Sequence, residues 1–311
     1  MMEKRPKLLC PSILNLAIDN IREEVVKLDA TDMDIYHVDL MDGTFVPNFG
    51  MSVRELEMIR RVTDQGAHKL IDCHMMVMNP HNYIEKVAQA GADIIYIHPE
   101  SELIPSATLE LIQLQGKKTG LILNPCTTLE SVKDMLPITD YVMIMAVNPG
   151  FAGREFMPYT RQKFIELNRY REEHGLAYHL LLDGGATREV ISDLYHNCGV
   201  EGFVLGKQEL FFQKEDYAAC IDRILLNHRP IEAVINGPDL LPLPYGRLKQ
   251  GRYLLCHLHL LTLAQQQGQM HFLLLQVQLQ VYGFLACSLL VPAQSAGDRD
   301  IRQDFLPEHI F

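Results

Sequence analysis

Short apolar runs alternate with segments of helical periodicity along the first 228 residues of the chain. The apolar runs are KLLCPSIL (7–14), DIYHVDL (34–40), KLIDCHMMV (69–77), DIIYIH (93–98), TGLILN (119–124), YVMIMAV (141–147), YHLLLD (178–183) and GFVLG (202–206). The amphipathic segments between them include NIREEVVKLDA (20–30), HNYIEKVAQAGA (81–92), TLESVKDML (128–136) and YTRQKFIELNRYREEHG (159–175). Apolar strands that alternate with amphipathic helices predict a parallel sheet covered by helices on its outer side.

Eight such units within residues 1–228 match the count and size of a (β/α)8 TIM barrel, so we predict a single α/β domain of this type. A doubly wound open sheet is the competing architecture. It usually has fewer strands and a glycine-rich turn after the first strand, where this chain has CPSILN. The barrel is therefore the favoured fold.

Residues 229–311 differ in composition from the predicted barrel. The stretch RPIEAVINGPDLLPLPYG is rich in proline, and residues 253–296 contain no Asp, Glu, Lys or Arg. The longest clean apolar run there, VYGFLACSLLV (281–291), is too short to span a bilayer. We predict a poorly ordered or lineage-specific C-terminal extension without a recognised domain. A translated frameshift, or a segment that touches a membrane or mediates oligomerisation, is the alternative.

Charge and cysteine content narrow the partners and the compartment. The formal net charge is −11, and all of it arises in residues 1–228, which argues against nucleic acid or an anionic membrane as a partner. The seven cysteines include no CxxC pair, which favours a reducing compartment over a disulfide framework. The N-terminus shows no evident signal peptide, so we predict a cytoplasmic protein.

Polar residues cluster at the predicted carboxyl ends of the strands, where the active sites of parallel barrels lie. Residues two apart share one face of a strand, so His37 and Asp39 point the same way, as do Asp72 and His74. The whole set comprises Ser12, Asn15, His37, Asp39, Asp72, His74, His98 and Asp183. A single strand-end histidine is more often a structural residue. Imidazoles and carboxylates that converge from several strands instead suit a divalent transition metal such as zinc, manganese, iron or cobalt.

Three glycine-rich loops follow the last three predicted strands: VNPGFAGREF (147–156), DGGATR (183–188) and LGKQ (205–208). Each of them alone could be a tight turn between a strand and a helix. Glycine also lets backbone N–H groups approach a ligand closely, and the loops after strands 7 and 8 form the usual phosphate site of this fold. Together they predict a phosphorylated substrate whose anionic end lies opposite the metal.

Methionines lie near three of the same strand ends, at Met41, Met76 and Met145. The ordinary interpretation is that flexible side chains fill the top of the barrel. The more specific hypothesis is an apolar wall that shields a charged reaction intermediate.

Seven motifs, in order, closely resemble those of the ribulose-phosphate 3-epimerase family. They are CPSIL, HVDLMDGTFVPN, DCHMMV, AGADIIYIHPE, GLILNP, VNPGFAGREF and LLLDGGATR. The resemblance runs from about residue 7 to residue 225 and does not extend into the C-terminal segment. It implies a metal-dependent isomerase that epimerises a ketose phosphate at C3, through an enediolate that the metal stabilises.

Carried over motif by motif, the resemblance assigns roles to individual residues. It implies one divalent metal ion per subunit and no organic cofactor, with His37, Asp39, His74 and Asp183 as ligands. Asp39 is implied to remove the C3 proton and Asp183 to return one on the opposite face. The implied substrate-binding residues are Ser12, His74, Gly150, Phe151, Ala152, Gly153, Asp183, Gly184, Gly185, Gly206 and Lys207. The implied partners are a small sugar phosphate and further copies of this chain.

Within the family, the segments IHPES, GLILNP, GFAG and YREEHGLAY look most like the D-allulose-6-phosphate 3-epimerase branch, so that ketohexose phosphate is the predicted substrate. D-ribulose 5-phosphate is the alternative, and a non-catalytic sugar-phosphate binding barrel is an alternative of another class. A decarboxylase with a strand-end Asp-x-Lys pair is disfavoured because the second strand reads VDLMDG. Lys207 and Arg154 stand where the family usually has small or neutral residues, so both affect the expected phosphate site.

Overall fold

The structure is a computed structural model that describes residues 7–226. Its eight strands are β1 (Leu8–Pro11), β2 (Ile35–Met41), β3 (Leu70–Met76), β4 (Ile94–Ile97), β5 (Lys118–Leu123), β6 (Tyr141–Met145), β7 (His179–Asp183) and β8 (Gly202–Leu205). The α-helices in this range are α1 (Ile21–Asp29), α2 (Val53–Asp64), α3 (Ile84–Gln89), α4 (Pro105–Leu114), α5 (Arg161–Glu173), α6 (Arg188–Asn197) and α7 (Tyr217–Leu226). The predicted extension over residues 229–311 lies outside the described residues.

All eight strands are parallel, and from β2 to β8 each strand pairs with the next one in sequence order. The first strand, β1, also pairs with the last strand, β8, and a bridge between Ser12 and His37 brings its end alongside β2. This arrangement nearly closes the sheet on itself, so the predicted (β/α)8 barrel is confirmed and the open sheet is excluded. None of the helices between residues 7 and 226 is long and apolar enough to cross a membrane.

The segment TLESVKDML, for which the periodicity predicts a helix, forms two short 3₁₀ stretches instead, Leu129–Ser131 and Lys133–Ile138. Pro137 lies in the second stretch, where it has no N–H for an α-helical hydrogen bond and disfavours helical geometry in the residue before it. The outer side of the barrel between β5 and β6 is therefore covered by a tight turn structure in place of a full α-helix.

The core has two layers because successive side chains of a strand point to opposite faces. One layer packs between strands and helices and includes Val38, Ile71 and Leu180. The other fills the inside of the barrel and includes Cys10, Ile35, Tyr96, Ile122 and Leu181. Since the interior is packed with side chains, a ligand can enter only where the strands end.

Tyr96 occupies the barrel interior because its partner on β5 is a glycine. Tyr96 pairs with Gly120, and a Cβ added at Gly120 would lie 2.2 Å from Cδ1 of Tyr96. We expect Gly120→Ala to lower the free energy of unfolding by about 1–3 kcal/mol, the usual cost of overpacking a core. Chemical denaturation measures it, and adding Tyr96→Leu should recover part of the loss. An unchanged unfolding midpoint in Gly120→Ala would contradict this packing account.

Candidate metal centre and active site

The register of β2 against β3 brings the polar residues of the two strands together. His37 pairs with Asp72, and Asp39 pairs with His74. On β2 the side chains that point inward run from Ile35 in the packed interior, through His37 and Asp39, to Met41 at the opening. The polar residues of β2 and β3 therefore lie between the apolar interior of the barrel and its opening.

Four side chains from three strands converge on one point. His37, Asp39, His74 and Asp183 each offer a ligand atom, and these atoms all lie within 4.8 Å of one another. Oδ1 of Asp39 is 3.2 Å from Nε2 of His37 and 3.1 Å from Nδ1 of His74. The structure thus brings together all four residues that the family motifs imply as metal ligands, and two imidazole nitrogens with two carboxylate oxygens suit a divalent transition metal.

Burial and mutual charge perturb the acid–base properties of this cluster. Burial raises the pKa of the Asp39 carboxyl, but the adjacent His37 and His74 outweigh it and hold that pKa well below its usual range. Burial lowers the pKa of His37, yet the carboxylates of Asp72 and Asp39 outweigh it and raise that pKa. Burial and the charge of Asp39 together raise the pKa of Asp183. Two carboxyl groups with opposite pKa shifts therefore face one cavity.

Three further polar groups contact the cluster from outside it. Ser12 donates a hydrogen bond from Oγ to Oδ2 of Asp39 over 2.8 Å. Asp72 places Oδ1 2.6 Å from Nδ1 of His37, and His98 places Nε2 2.9 Å from Nε2 of His74. Asp72 and His98 are fully buried. Burial, followed by the charge of His74, lowers the pKa of His98 well below its ordinary value, so this ring is neutral.

A cavity opens above the cluster at the carboxyl ends of the strands. Among the residues that line it are Ser12, Asp39, Met41, Met76, Met145, Gly150, Phe151, Ala152, Gly153, Asp183, Gly184, Gly185, Gly206 and Lys207. Every residue with a predicted role in substrate binding or shielding is in this set except His74, which is fully buried beneath the cavity. A role for His74 as a ligand fits that position better than direct contact with substrate.

The loops after β2 and β6 meet over one side of the mouth. Asn48 donates a hydrogen bond from Nδ2 to the carbonyl oxygen of Gly150 over 2.6 Å. Gly150 has a φ of +85°, and a Cβ there would lie 2.7 Å from Cβ of Val46, which is itself buried. Glycine is therefore required for the two loops to approach this closely.

The cavity is electrostatically divided. Asp39 and Asp183 lie at its floor, whereas Arg154 and Lys207 line its wall together with Glu209, whose carboxylate pairs with Arg188. The Arg154 guanidinium lies over the ring of Phe151, and the Lys207 ammonium lies over the ring of Phe212. Within residues 7–226 neither cation forms an ion pair with a carboxylate, in a chain that is strongly acidic overall. The wall can therefore attract an anion.

Sequence reasoning missed several residues of the site. The motif HVDLMDGTFVPN ends in Asn48 but assigns it no role, and Glu209, in the helical turn Lys207–Phe211 after β8, lies outside the motifs. Asp72 and His98 are visible as polar residues at strand ends, but the family motifs assign them no role. The signal that identifies them is pairing between strands, which places each one against a histidine of the cluster.

Comparisons with known proteins agree with this geometry. The sequence model of the Ribulose-phosphate 3 epimerase family matches residues 8–211. A ribulose-phosphate 3-epimerase of Synechocystis sp. is 36% identical over 228 residues, which cover 71% of this chain and 94% of the relative. The ribulose-phosphate 3-epimerase of Escherichia coli K12 is 35% identical over 217 residues, which cover 70% of this chain and 94% of the relative.

A solved structure of more distant sequence supports the fold alone. The mutant tryptophan synthase α-subunit of Pyrococcus furiosus superposes with a TM-score of 0.55 at 16% identity. The superposition covers 72% of this chain and 99% of that one. At this level of identity the match speaks for the barrel and carries no information about the reaction.

Proposed function

Because the chain belongs to the ribulose-phosphate 3-epimerase family, and is thus a ketose-phosphate 3-epimerase of the isomerase class, we propose that it interconverts D-ribulose 5-phosphate and D-xylulose 5-phosphate. Only four short sequence segments favour D-allulose 6-phosphate. The relatives at 35–36% identity are named ribulose-phosphate 3-epimerases, and the match covers 94% of their length. The comparisons therefore favour the alternative substrate over the ketohexose phosphate that was predicted first.

The observation that carries the proposal is the convergence of two carboxyl groups, Asp39 from β2 and Asp183 from β7, on one cavity. Epimerisation at C3 requires that a proton leave one face of the sugar and that another arrive on the opposite face. Asp39, whose pKa is held low, is ionised and so free to accept the first proton, and Asp183, whose pKa is raised, faces the same cavity and can deliver the second. Ser12 orients Asp39 through its hydrogen bond to Oδ2.

The four-residue cluster fits a divalent metal ion. Its donor set is compact, almost wholly buried, and composed of the nitrogen and oxygen ligands that zinc, manganese, iron and cobalt accept. A bound divalent ion supplies positive charge that stabilises the negative charge developing on the sugar as C3 loses its proton. His37, His74, Asp39 and Asp183 would hold it.

Removal of metal should abolish activity without unfolding the barrel. We expect prolonged dialysis against a chelator to eliminate turnover, and stoichiometric addition of one of the four candidate metals to restore it. Metal analysis of the protein as purified identifies the native ion. Full activity in protein proved free of metal would contradict the assignment of the cluster.

The phosphate group of the substrate would lie at the glycine-rich wall, with Lys207 and Arg154 as side-chain cations beside it. The glycines at 150, 153, 184, 185 and 206 line the same part of the cavity. Backbone N–H groups at such glycines can approach a phosphate closely, and cations without carboxylate partners add attraction. This arrangement separates the anionic end of the sugar from the acidic reaction centre.

Lys207→Ser tests the cationic wall. We expect KM for the sugar phosphate to rise by about tenfold, the effect of losing one charge-assisted contact, while kcat stays near its wild-type value. Lys214→Ser is the matched control, because Lys214 is exposed and does not line the cavity but carries the same charge. Equal KM values for the two variants would show that Lys207 does not contact the phosphate.

The substrate is settled by measuring kcat/KM for D-ribulose 5-phosphate and D-allulose 6-phosphate with the metal-loaded enzyme. We expect a clear preference for the pentulose phosphate, and a preference for the hexulose phosphate would restore the first prediction. Incorporation of solvent deuterium at C3 separates both from a non-catalytic binding barrel, which would show none. Assembly into homo-oligomers and a cytoplasmic location stay predictions, which size-exclusion chromatography with light scattering and cell fractionation would test.

A further inference from the structure

The two histidines of the cluster present different ring nitrogens to its centre. For His37 it is Nε2, which lies 3.2 Å from Oδ1 of Asp39 and 3.8 Å from Oδ2 of Asp183. For His74 it is Nδ1, which lies 3.1 Å and 3.5 Å from the same two oxygen atoms. The remaining nitrogens, Nδ1 of His37 and Nε2 of His74, point away from the centre.

Each outward nitrogen meets a different kind of partner. Nδ1 of His37 lies 2.6 Å from a carboxylate oxygen of Asp72, and Nε2 of His74 lies 2.9 Å from Nε2 of His98. Asp72 and His98 are fully buried and do not line the cavity. They cannot contact the substrate, so any influence on the reaction must pass through the histidines.

We propose that Asp72 and His98 are positioning residues that fix which ring nitrogen each histidine offers to the metal. The proposal rests on the metal site proposed above. A carboxylate oxygen of Asp72 lies 2.6 Å from Nδ1 of His37, a position that favours a proton on Nδ1 and leaves the lone pair of Nε2 for the metal. His98 has the corresponding task for His74, because its Nε2 lies 2.9 Å from the outward nitrogen of that ring.

The contact between His74 and His98 makes the position of the ring proton on His74 depend on the metal, whereas that on His37 does not. Without metal, Nδ1 of His74 lies 3.1 Å from Oδ1 of Asp39, where it can carry a proton and donate a hydrogen bond. With Nδ1 engaged by a metal, Nε2 must carry the proton and His98 must accept it. Metal binding therefore removes the proton from Nδ1 of His74 and leaves a proton on Nε2.

The burial of His98 agrees with a ring that has two working tautomers. Its Nδ1 is buried and has no hydrogen-bond partner among residues 7–226, so no neighbour there holds the proton on either nitrogen. Phe45 packs against the His98 ring with their centroids 4.7 Å apart and keeps the ring in place. Packing thus fixes the position of the His98 ring, whereas its contact with His74 decides which of its nitrogens carries the proton.

The proposal is tested first by nitrogen NMR of the full-length protein labelled with ¹⁵N-histidine, with and without Zn²⁺. We expect His74 to lose its Nδ1 proton and to carry a proton only on Nε2 when zinc is added, while His37 keeps its Nδ1 proton in both states. Retention of the Nδ1–H tautomer by His74 in the zinc-loaded protein would overturn the assignment.

Zinc affinity of three variants, measured by competition with a chromophoric chelator, is the second test. Asp72→Asn should weaken zinc binding by about 10–100-fold. His98→Leu should weaken it too, whereas His98→Gln should largely restore it because the amide oxygen can accept from Nε2 of His74. Cys73→Ala is the control, since Cys73 lies between Asp72 and His74 on β3 but packs on the opposite face.

The outcomes separate the two levels of inference. If His98→Leu binds zinc as tightly as His98→Gln, the ring has only a packing role and the positioning proposal is wrong, whereas the metal site stands. If the wild-type protein shows no zinc binding and no turnover with any added metal, the proposed metal site fails and this proposal fails with it. Thermal unfolding of each metal-free variant verifies that the barrel has folded.

Discussion

Asp39→Asn is expected to lower kcat for epimerisation of D-ribulose 5-phosphate by about 10³-fold or more. Asparagine keeps the shape of the side chain and an oxygen that can still face the metal, but it cannot accept the C3 proton at ordinary pH. Loss of a positioned general base removes a factor of about 10²–10⁴, and loss of the carboxylate charge from the cluster adds to that effect. Steady-state kinetics on metal-loaded protein measure the change.

Two controls make the Asp39 result interpretable. Asp32→Asn removes the same charge from an exposed position three residues before the start of β2, and it should leave activity unchanged. Metal content must be determined for Asp39→Asn, because a variant that has lost the ion would be inactive for another reason. A metal-loaded Asp39→Asn variant with activity near that of the wild type would refute the assignment of Asp39 as the base.

Asp183→Asn is expected to separate proton exchange from epimerisation. In this variant Asp39 can still remove the C3 proton of D-ribulose 5-phosphate, but no acid delivers a proton to the opposite face. In deuterium oxide we expect D-ribulose 5-phosphate to acquire deuterium at C3 while its conversion to D-xylulose 5-phosphate falls by about 10²–10⁴-fold. D-Xylulose 5-phosphate, whose C3 proton Asp183 must remove, should neither exchange nor convert.

Mass spectrometry and proton NMR of the recovered sugars read out both quantities in one experiment. The result is specific to a mechanism with two bases, because a single base serving both faces would lose exchange and conversion together. Parallel loss of both activities in a metal-loaded Asp183→Asn variant would therefore count against the division of roles between Asp39 and Asp183.

The fold could be predicted because its signal is local. Each apolar run predicts one strand, and the bounds shift by only a few residues; the run DIYHVDL, for example, becomes Ile35–Met41. The positions of the candidate ligands follow from the same signal, since alternation along a strand places His37 with Asp39, and parallel strands end at one edge. The one predicted helix that fails, at residues 128–136, is replaced by two 3₁₀ stretches, the second of which contains Pro137.

What the sequence could not supply depends on distances between strands and on loops. Which nitrogen of His74 faces the cluster is set by its side-chain conformation and by its contact with His98 on the next strand. The hydrogen bond between Asn48 and Gly150 joins residues 102 positions apart, so no local sequence pattern predicts it. The choice between pentulose and hexulose phosphate rests on one carbon of length, for which no residue type is diagnostic.

The register of β2 against β3 also makes metal binding a report on folding. A slip of one residue between these strands would turn every side chain of one strand to the other face, and His74 would leave the side of Asp39. A barrel closed with that error would retain most of its apolar burial but would have no complete ligand set. Metal would stabilise only the barrel with the correct strand register, so metal binding would favour correct pairing of β2 with β3 as well as the reaction.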